Sequence, residues 1–191
     1  MIASSMPLKK ILNFIVSSIE NYCDSNRLYG SIMLYNPLSN QLAETVSSSL
    51  PTNFISTIEP VNVSPYGGSC GTAAFLKQPV LVSDIENNPL WEEYRHLAIV
   101  YGYRACWSFP LLSSNKELLG TIVLYSSEIG GPDKETSNIV HFFCELASLA
   151  IEASKNNNLD NLLFGLGIRH CGAKVSKLIC KKFKNIDNII N

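Results

Sequence analysis

Two apolar runs, residues 104–112 and 117–126, are separated only by Ser113, Ser114, Asn115 and Lys116. A four-residue polar link cannot return a chain to the start of a parallel neighbour, which needs a crossover of a dozen residues or more. The pair is therefore an antiparallel hairpin. A second hairpin precedes it. Residues 28–35 read as a strand ended by Asn36 and Pro37, and residues 41–46 follow the turn Ser39–Asn40 as its partner. Two hairpins make the sheet largely antiparallel, and the remaining segments read as helices. Leu8, Ile11, Leu12, Ile15, Ile19 and Tyr22 recur at helical spacing, predicting a helix over 7–24.

Between the hairpins, residues 51–58 read as a short helix, 60–68 as a loop, 70–77 as one or two helical turns and 79–82 as a short strand. Pro89 opens a helix predicted to reach Val100, with Gly102 as its cap. A last helix starts near Asp133 and buries Ile139, Phe142, Phe143, Leu146, Ala147 and Ala150. The fold class is α+β, a central, largely antiparallel sheet flanked by helices.

With 46% apolar and 16% charged residues, the chain is a core-forming one. Its charge is uneven. Residues 153–191 hold seven Lys or Arg against Asp160 and Asp187, a net +5, while the other 152 residues carry −6. The basic tail suits a polyanion; the acidic body does not. The six cysteines form no CxxC pair and no metal-ligand spacing, so they read as reduced, mostly buried thiols of a cytoplasmic protein, and no metal is expected. The apolar run 8–19 is too short and too interrupted to span a bilayer, and no secretory signal or membrane partner is expected.

Several runs carry a family resemblance: Gly68-Ser69-Cys70-Gly71-Thr72-Ala73-Ala74, Pro79-Val80-Leu81-Val82-Ser83-Asp84-Ile85, Pro89-Leu90-Trp91, Tyr94-Arg95, Gly102-Tyr103-Arg104-Ala105-Cys106-Trp107-Ser108 and Leu119-Gly120-Thr121. In order and spacing they resemble the GAF domain, a PAS-related sensor fold, over residues 7–152. The resemblance implies a pocket between one sheet face and the helices over it. Ser69, Cys70, Thr72, Asp84, Trp91, Tyr94, Cys106 and Ser108 are its candidate lining.

The residue types suit that role. Gly67, Gly68 and Gly71 let backbone approach a ligand closely. Cys70 and Thr72 lie at a helix start, where free N–H groups favour a polar ligand atom. Trp91 and Tyr94 can stack on a ring, and serve equally well as core-closing residues. Asp84 can cap the following turn instead, and Arg104 can form a structural ion pair. Cys106 and Ser108 share one strand face, with Trp107 on the other.

Beyond Ile151 the character changes. The run Leu162-Leu163-Phe164-Gly165-Leu166-Gly167-Ile168-Arg169-His170-Cys171-Gly172-Ala173-Lys174 is similar to the helix-hairpin-helix region of bacterial NAD-dependent DNA ligases. In that reading residues 1–152 are a GAF-like sensor domain and 153–191 a helix-hairpin-helix fragment. Gly167, Arg169, Gly172 and Lys174 would meet DNA phosphate, with weak, sequence-independent affinity. The ligase's Lys-x-Asp-Gly adenylation motif is absent, so ligation is not expected.

The reading as a whole is a non-catalytic regulatory module without a cofactor. It binds an unidentified small molecule, pairs as a homodimer through its terminal helices, or does both. Two alternatives stand beside it: DNA binding through the tail, and a thiol enzyme similar to the GAF-like free methionine sulfoxide reductases, in which Cys70 would match part of the motif.

Overall fold

The computed structural model describes residues 7–23 and 28–155. The elements are α1 (Leu8–Tyr22), β1 (Leu28–Asn36), β2 (Gln41–Val46), α2 (Thr52–Ile58), β3 (Val61–Asn62), α3 (Gly68–Leu76), β4 (Val80–Val82), α4 (Arg95–Val100), β5 (Ala105–Leu112), β6 (Leu118–Ser126) and α5 (Lys134–Lys155). A single 3-10 turn spans Pro89–Trp91.

The six strands form one sheet in the order β3-β2-β1-β6-β5-β4, with every neighbouring pair antiparallel. The two hairpins are thus joined at the centre by β1 and β6, which pair from Leu28↔Ser126 to Leu34↔Gly120. Strand alternation divides the core into two layers. Ile122 and Leu124 of β6 join Ala105 and Trp107 of β5 beneath α1 and α5. Val123, Tyr125 and Cys106 point the other way, toward α2, α3 and α4. Helices on both faces explain why β6 is buried along nearly its whole length.

On the first face α1 places Leu12, Ile15, Val16 and Ile19 against the sheet, and α5 adds Val140, Phe143, Ala147 and Ile151. Asp133 caps α5, its Oδ1 accepting the Thr136 N–H at 2.7 Å. α5 runs through Lys155 and so crosses residue 152, where the sequence suggested a domain boundary. No helix among the described residues is long and apolar enough to cross a membrane.

Two segments differ from the sequence expectation. Within the loop expected over 60–68, Val61 and Asn62 pair with Leu42 and Gln41 as an edge strand. Two paired residues are too few to leave a periodic signal. The helix expected from Pro89 to Val100 is broken at Glu92–Tyr94. The N–H groups of Trp91, Glu92 and Tyr94 donate to the carbonyls of Asn88, Pro89 and Trp91, each three residues back. The four-residue spacing of an α-helix begins only where the Ala98 N–H donates to Tyr94 O at 3.0 Å. The tighter winding matters for the site, because residues three apart then stand one above the other.

Candidate functional site

The space between the second sheet face and its covering helices is largely filled by rings. Phe54 of α2 packs edge-on against Tyr103 at 5.1 Å and Tyr125 at 5.3 Å between centroids. Tyr103 also contacts Tyr29 at 5.2 Å and Tyr125 at 5.0 Å. Trp91 closes the group, meeting Tyr125 edge-on at 6.1 Å. Between Trp91, Tyr125 and the first turn of α3 a cavity of about 30 Å³ remains, walled by Ile58, Val61, Gly67, Gly68, Ser69, Cys70, Trp91, Tyr94 and Tyr125. That is room for one water-sized group.

Local sequence builds each wall. Gly68 holds φ at +62°, which turns the chain into α3. Gly71 faces Asn62 so closely that a Cβ would lie 2.3 Å from the Asn62 carbonyl oxygen. The α3 N-terminus is thereby pinned to edge strand β3. The 3-10 winding from Pro89 sets Trp91 and Tyr94 on one side, as the period of three requires. Trp91 is buried, and its Nε1 has no hydrogen-bond partner among the described residues. A buried, unpaired N–H donor costs free energy and calls for an acceptor.

Of the eight candidate residues, Ser69, Cys70, Trp91 and Tyr94 line this cavity. Cys106 stands behind them, its Sγ 3.1 Å from Ser69 Oγ and 3.9 Å from Ser108 Oγ. Thr72 donates its hydroxyl to Pro65 O at 3.1 Å. Asp84 lies outside the cavity wall. Its carboxylate accepts from Asn87 Nδ2 at 2.7 Å and from the Glu86 N–H at 3.0 Å, closing the turn after β4. These bonds, that of Asn87 foremost, hold its pKa below the usual carboxylate value. Arg104 pairs with Glu86 at 2.9 Å. Gly167, Arg169, Gly172 and Lys174 lie outside the described residues.

Phe54, Tyr103 and Tyr125 were not among the sequence candidates. Tyr125 had a readable signal, since strand alternation puts it on one face with Val123. Phe54 had none, because only tertiary packing brings α2 over β6.

The site is electrically neutral. Among the described residues no charged side chain lines the cavity. Burial pushes the Cys70 thiol up to about 11, opposed in part by the backbone N–H groups of Gly71 and Cys70 itself. Burial pushes Cys106 up to about 12, against the Ser69 hydroxyl. Burial likewise holds the Tyr125 phenol well above its ordinary value. Near neutral pH all three are protonated, and the thiols are poor nucleophiles. Among the described residues no group of three or more His, Cys, Asp or Glu could hold a metal ion.

The GAF domain model matches residues 5–152. The chain belongs to the GAF family. Residues 161–191 match the helix-hairpin-helix motif. The methyl sulfide methyltransferase-associated sensor of Methanosarcina acetivorans is 31% identical over 153 residues, covering 79% of this chain and 15% of that sensor. A DNA ligase of Macrococcus caseolyticus is 60% identical over 42 residues, 22% of this chain and 6% of the ligase. The chain thus spans a small part of either relative.

The GAF domain of a phosphoenolpyruvate-protein phosphotransferase from Coxiella burnetii superposes with a TM-score of 0.64 at 15% identity, over 81% of this chain and 88% of that one. A free methionine-R-sulfoxide reductase from Neisseria meningitidis, in complex with its substrate, gives 0.59 at 18% identity, over 81% and 84%. At these identities both share the GAF fold with this chain, and nothing about activity follows.

Proposed function

We propose that this GAF domain is a non-catalytic sensory module that binds a small, neutral molecule beneath Trp91 in signal transduction. The observation that carries the reading is the buried Trp91 N–H, unpaired among the described residues and belonging to a residue of the cavity wall. A ligand with a hydrogen-bond acceptor would satisfy it. The absence of charge in the wall favours a neutral ligand, and the aromatic surround favours a flat or apolar one. Ser69 and Cys70 would contact it from α3 and Tyr94 from the cover. Thr72, Cys106 and Ser108 would hold α3 in place, and Asp84 the loop that leads to Trp91. The domain would also pair as a homodimer through α1 and α5, in the cytoplasm. In support, Leu149 of α5 is a half-exposed apolar side chain.

Thermal melting tests this against a panel that runs from molecules of a few heavy atoms to neutral aromatic metabolites and nucleobases, the larger of which must push the cover at Trp91 and Tyr94 outward to enter a cavity of about 30 Å³. At least one compound should raise the melting temperature of the protein and lose most of that effect in Trp91→Phe, which keeps a ring but deletes the donor. No shift across the panel would remove the ligand-binding half of the reading, and a monomer by sedimentation would remove the pairing half.

The helix-hairpin-helix match at residues 161–191 supports a second reading, DNA binding through Gly167, Arg169, Gly172 and Lys174. Its mark would be affinity that falls steeply with salt. The alternative of a methionine sulfoxide reductase is disfavoured by the raised pKa of both site thiols. A thiol-dependent turnover assay with free methionine sulfoxide checks it directly.

A further inference from the structure

A second hollow lies at the other end of the sheet. It measures about 530 Å³ and is open to solvent on one side, lined by residues from five separate places in the chain. Tyr35, Pro37 and Asn40 come from the end of β1 and the turn after it, Val63 from beyond β3, Ala74, Phe75 and Lys77 from the end of α3, Glu117 and Leu118 from the start of β6, and Lys155 from the last turn of α5. Phe75 is 50% exposed, and Leu76 beside it 51%. Exposed apolar side chains gathered around a groove mark a docking surface. Lys155 is also where the described chain ends, so the groove lies at the root of residues 156–191.

Three asparagines, Asn156, Asn157 and Asn158, follow Lys155. The next ten residues hold Leu159, Leu162, Leu163, Phe164, Leu166 and Ile168, with a single charge at Asp160. The 36 residues after Lys155 are too few to bury such a run in a core of their own. Three residues span about 10 Å when extended, enough for the chain to turn back over the groove wall. The groove carries two lysines, Lys77 and Lys155, against one acid, Glu117, a net positive wall. Asp160 would enter on the lysine side, where Lys77 Nζ donates to Lys116 O at 2.7 Å and keeps further donors.

We infer that residues 159–168 of the same chain occupy this groove, packing Phe164 and its leucines against Phe75, Leu118 and Val63. The occupant is not a ligand of the Trp91 cavity, and the inference stands or falls separately from ligand binding. Docking would hold the basic run that begins at Arg169 beside the GAF domain, at a fixed place.

Hydrogen exchange on the full chain tests this, comparing the parent with Phe164→Asp and, separately, Phe75→Asp. Phe75 is not part of the wall of the Trp91 cavity. In each variant, peptides covering 35–41, 74–78 and 115–119 should exchange at least about tenfold faster, as should a peptide covering 159–168. Peptides in α1 and the centre of β6 should not change, which separates undocking from unfolding. Unchanged exchange at the groove in Phe164→Asp would overturn the inference. So would protection that vanishes on dilution of the parent protein, because the occupant would then be a second copy's segment.

Discussion

The Glu20 carboxylate, on α1, accepts the backbone N–H of Gly30 in β1 at 2.6 Å inside the protein. Ser49 donates to the same oxygen, and Ser48 donates to the other at 3.3 Å. Ser47 donates to the Gly30 carbonyl at 2.6 Å. One buried acid therefore ties α1, the central strand and the loop after β2 together.

Replacing Glu20 with alanine leaves the Gly30 N–H without its acceptor in a buried place. The expected loss is about 2–3 kcal/mol, the range for a hydrogen bond to a charged group. Glu20→Gln keeps one acceptor oxygen and should lose less than half as much. Urea unfolding at neutral pH measures both. Equal losses in the two variants would show that charge, not acceptance from Gly30, holds the joint.

The site thiols give the protein an alkaline limit. Cys70 and Cys106 ionise near the ordinary 9.0 when unfolded, but near about 11 and about 12 when folded. Below pH 9 both states keep both protons, and the stabilisation is complete. Above it the unfolded chain sheds protons that the folded one retains. Each thiol should then favour unfolding by about tenfold per pH unit until its folded pKa is passed. Denaturant midpoints between pH 8 and 10.5 should fall, and fall less steeply in Cys106→Ala. At pH 7.5 neither thiol should react with iodoacetamide until urea opens the fold.

Two glycines three residues apart should tolerate change very differently. Gly71→Ala drives a Cβ to 2.3 Å from Asn62 O and 3.1 Å from Val61 Cγ1, and a carbonyl cannot swing aside as a side-chain tip can. The expected cost is about 1–3 kcal/mol, with β3 displaced. Gly68 holds φ +62°, yet a Cβ there meets nothing nearer than 3.9 Å. Gly68→Asn should therefore cost under about 1 kcal/mol, since asparagine visits the left-handed region readily. Denaturant unfolding compares them, and the reverse order would mean that β3 does not set the position of α3.

The hairpin of β5 and β6 was legible because alternation and a short polar link are local facts. So was the α3 turn, since Gly67, Gly68 and Gly71 stand together in the chain. The helix over 89–100 was read too long because Trp91, Glu92 and Tyr94 look alike to α and 3-10 winding. What separates the two is the demand to bury Trp91 against Tyr125. The size of the cavity was not legible at all. It depends on Phe54 of α2, Tyr103 of the link between α4 and β5, and Tyr125 of β6, which meet only when the sheet is formed.

Phe54 makes that dependence testable. It is fully buried, and its ring touches Tyr101, Tyr103 and Tyr125 at 5.1–5.3 Å. Phe54→Ala should cost about 3–5 kcal/mol, because it removes a ring from the centre of a packed cluster. Phe54→Leu keeps most of the volume and should cost appreciably less. If the ring cluster sets the size of the hollow beneath Trp91, Phe54→Leu should admit bulkier compounds than the parent in the melting-temperature screen, while Trp91→Phe should not. An unchanged ligand range in Phe54→Leu would mean that the mouth between Gly68 and Tyr94, rather than the ring-packed floor, selects what enters.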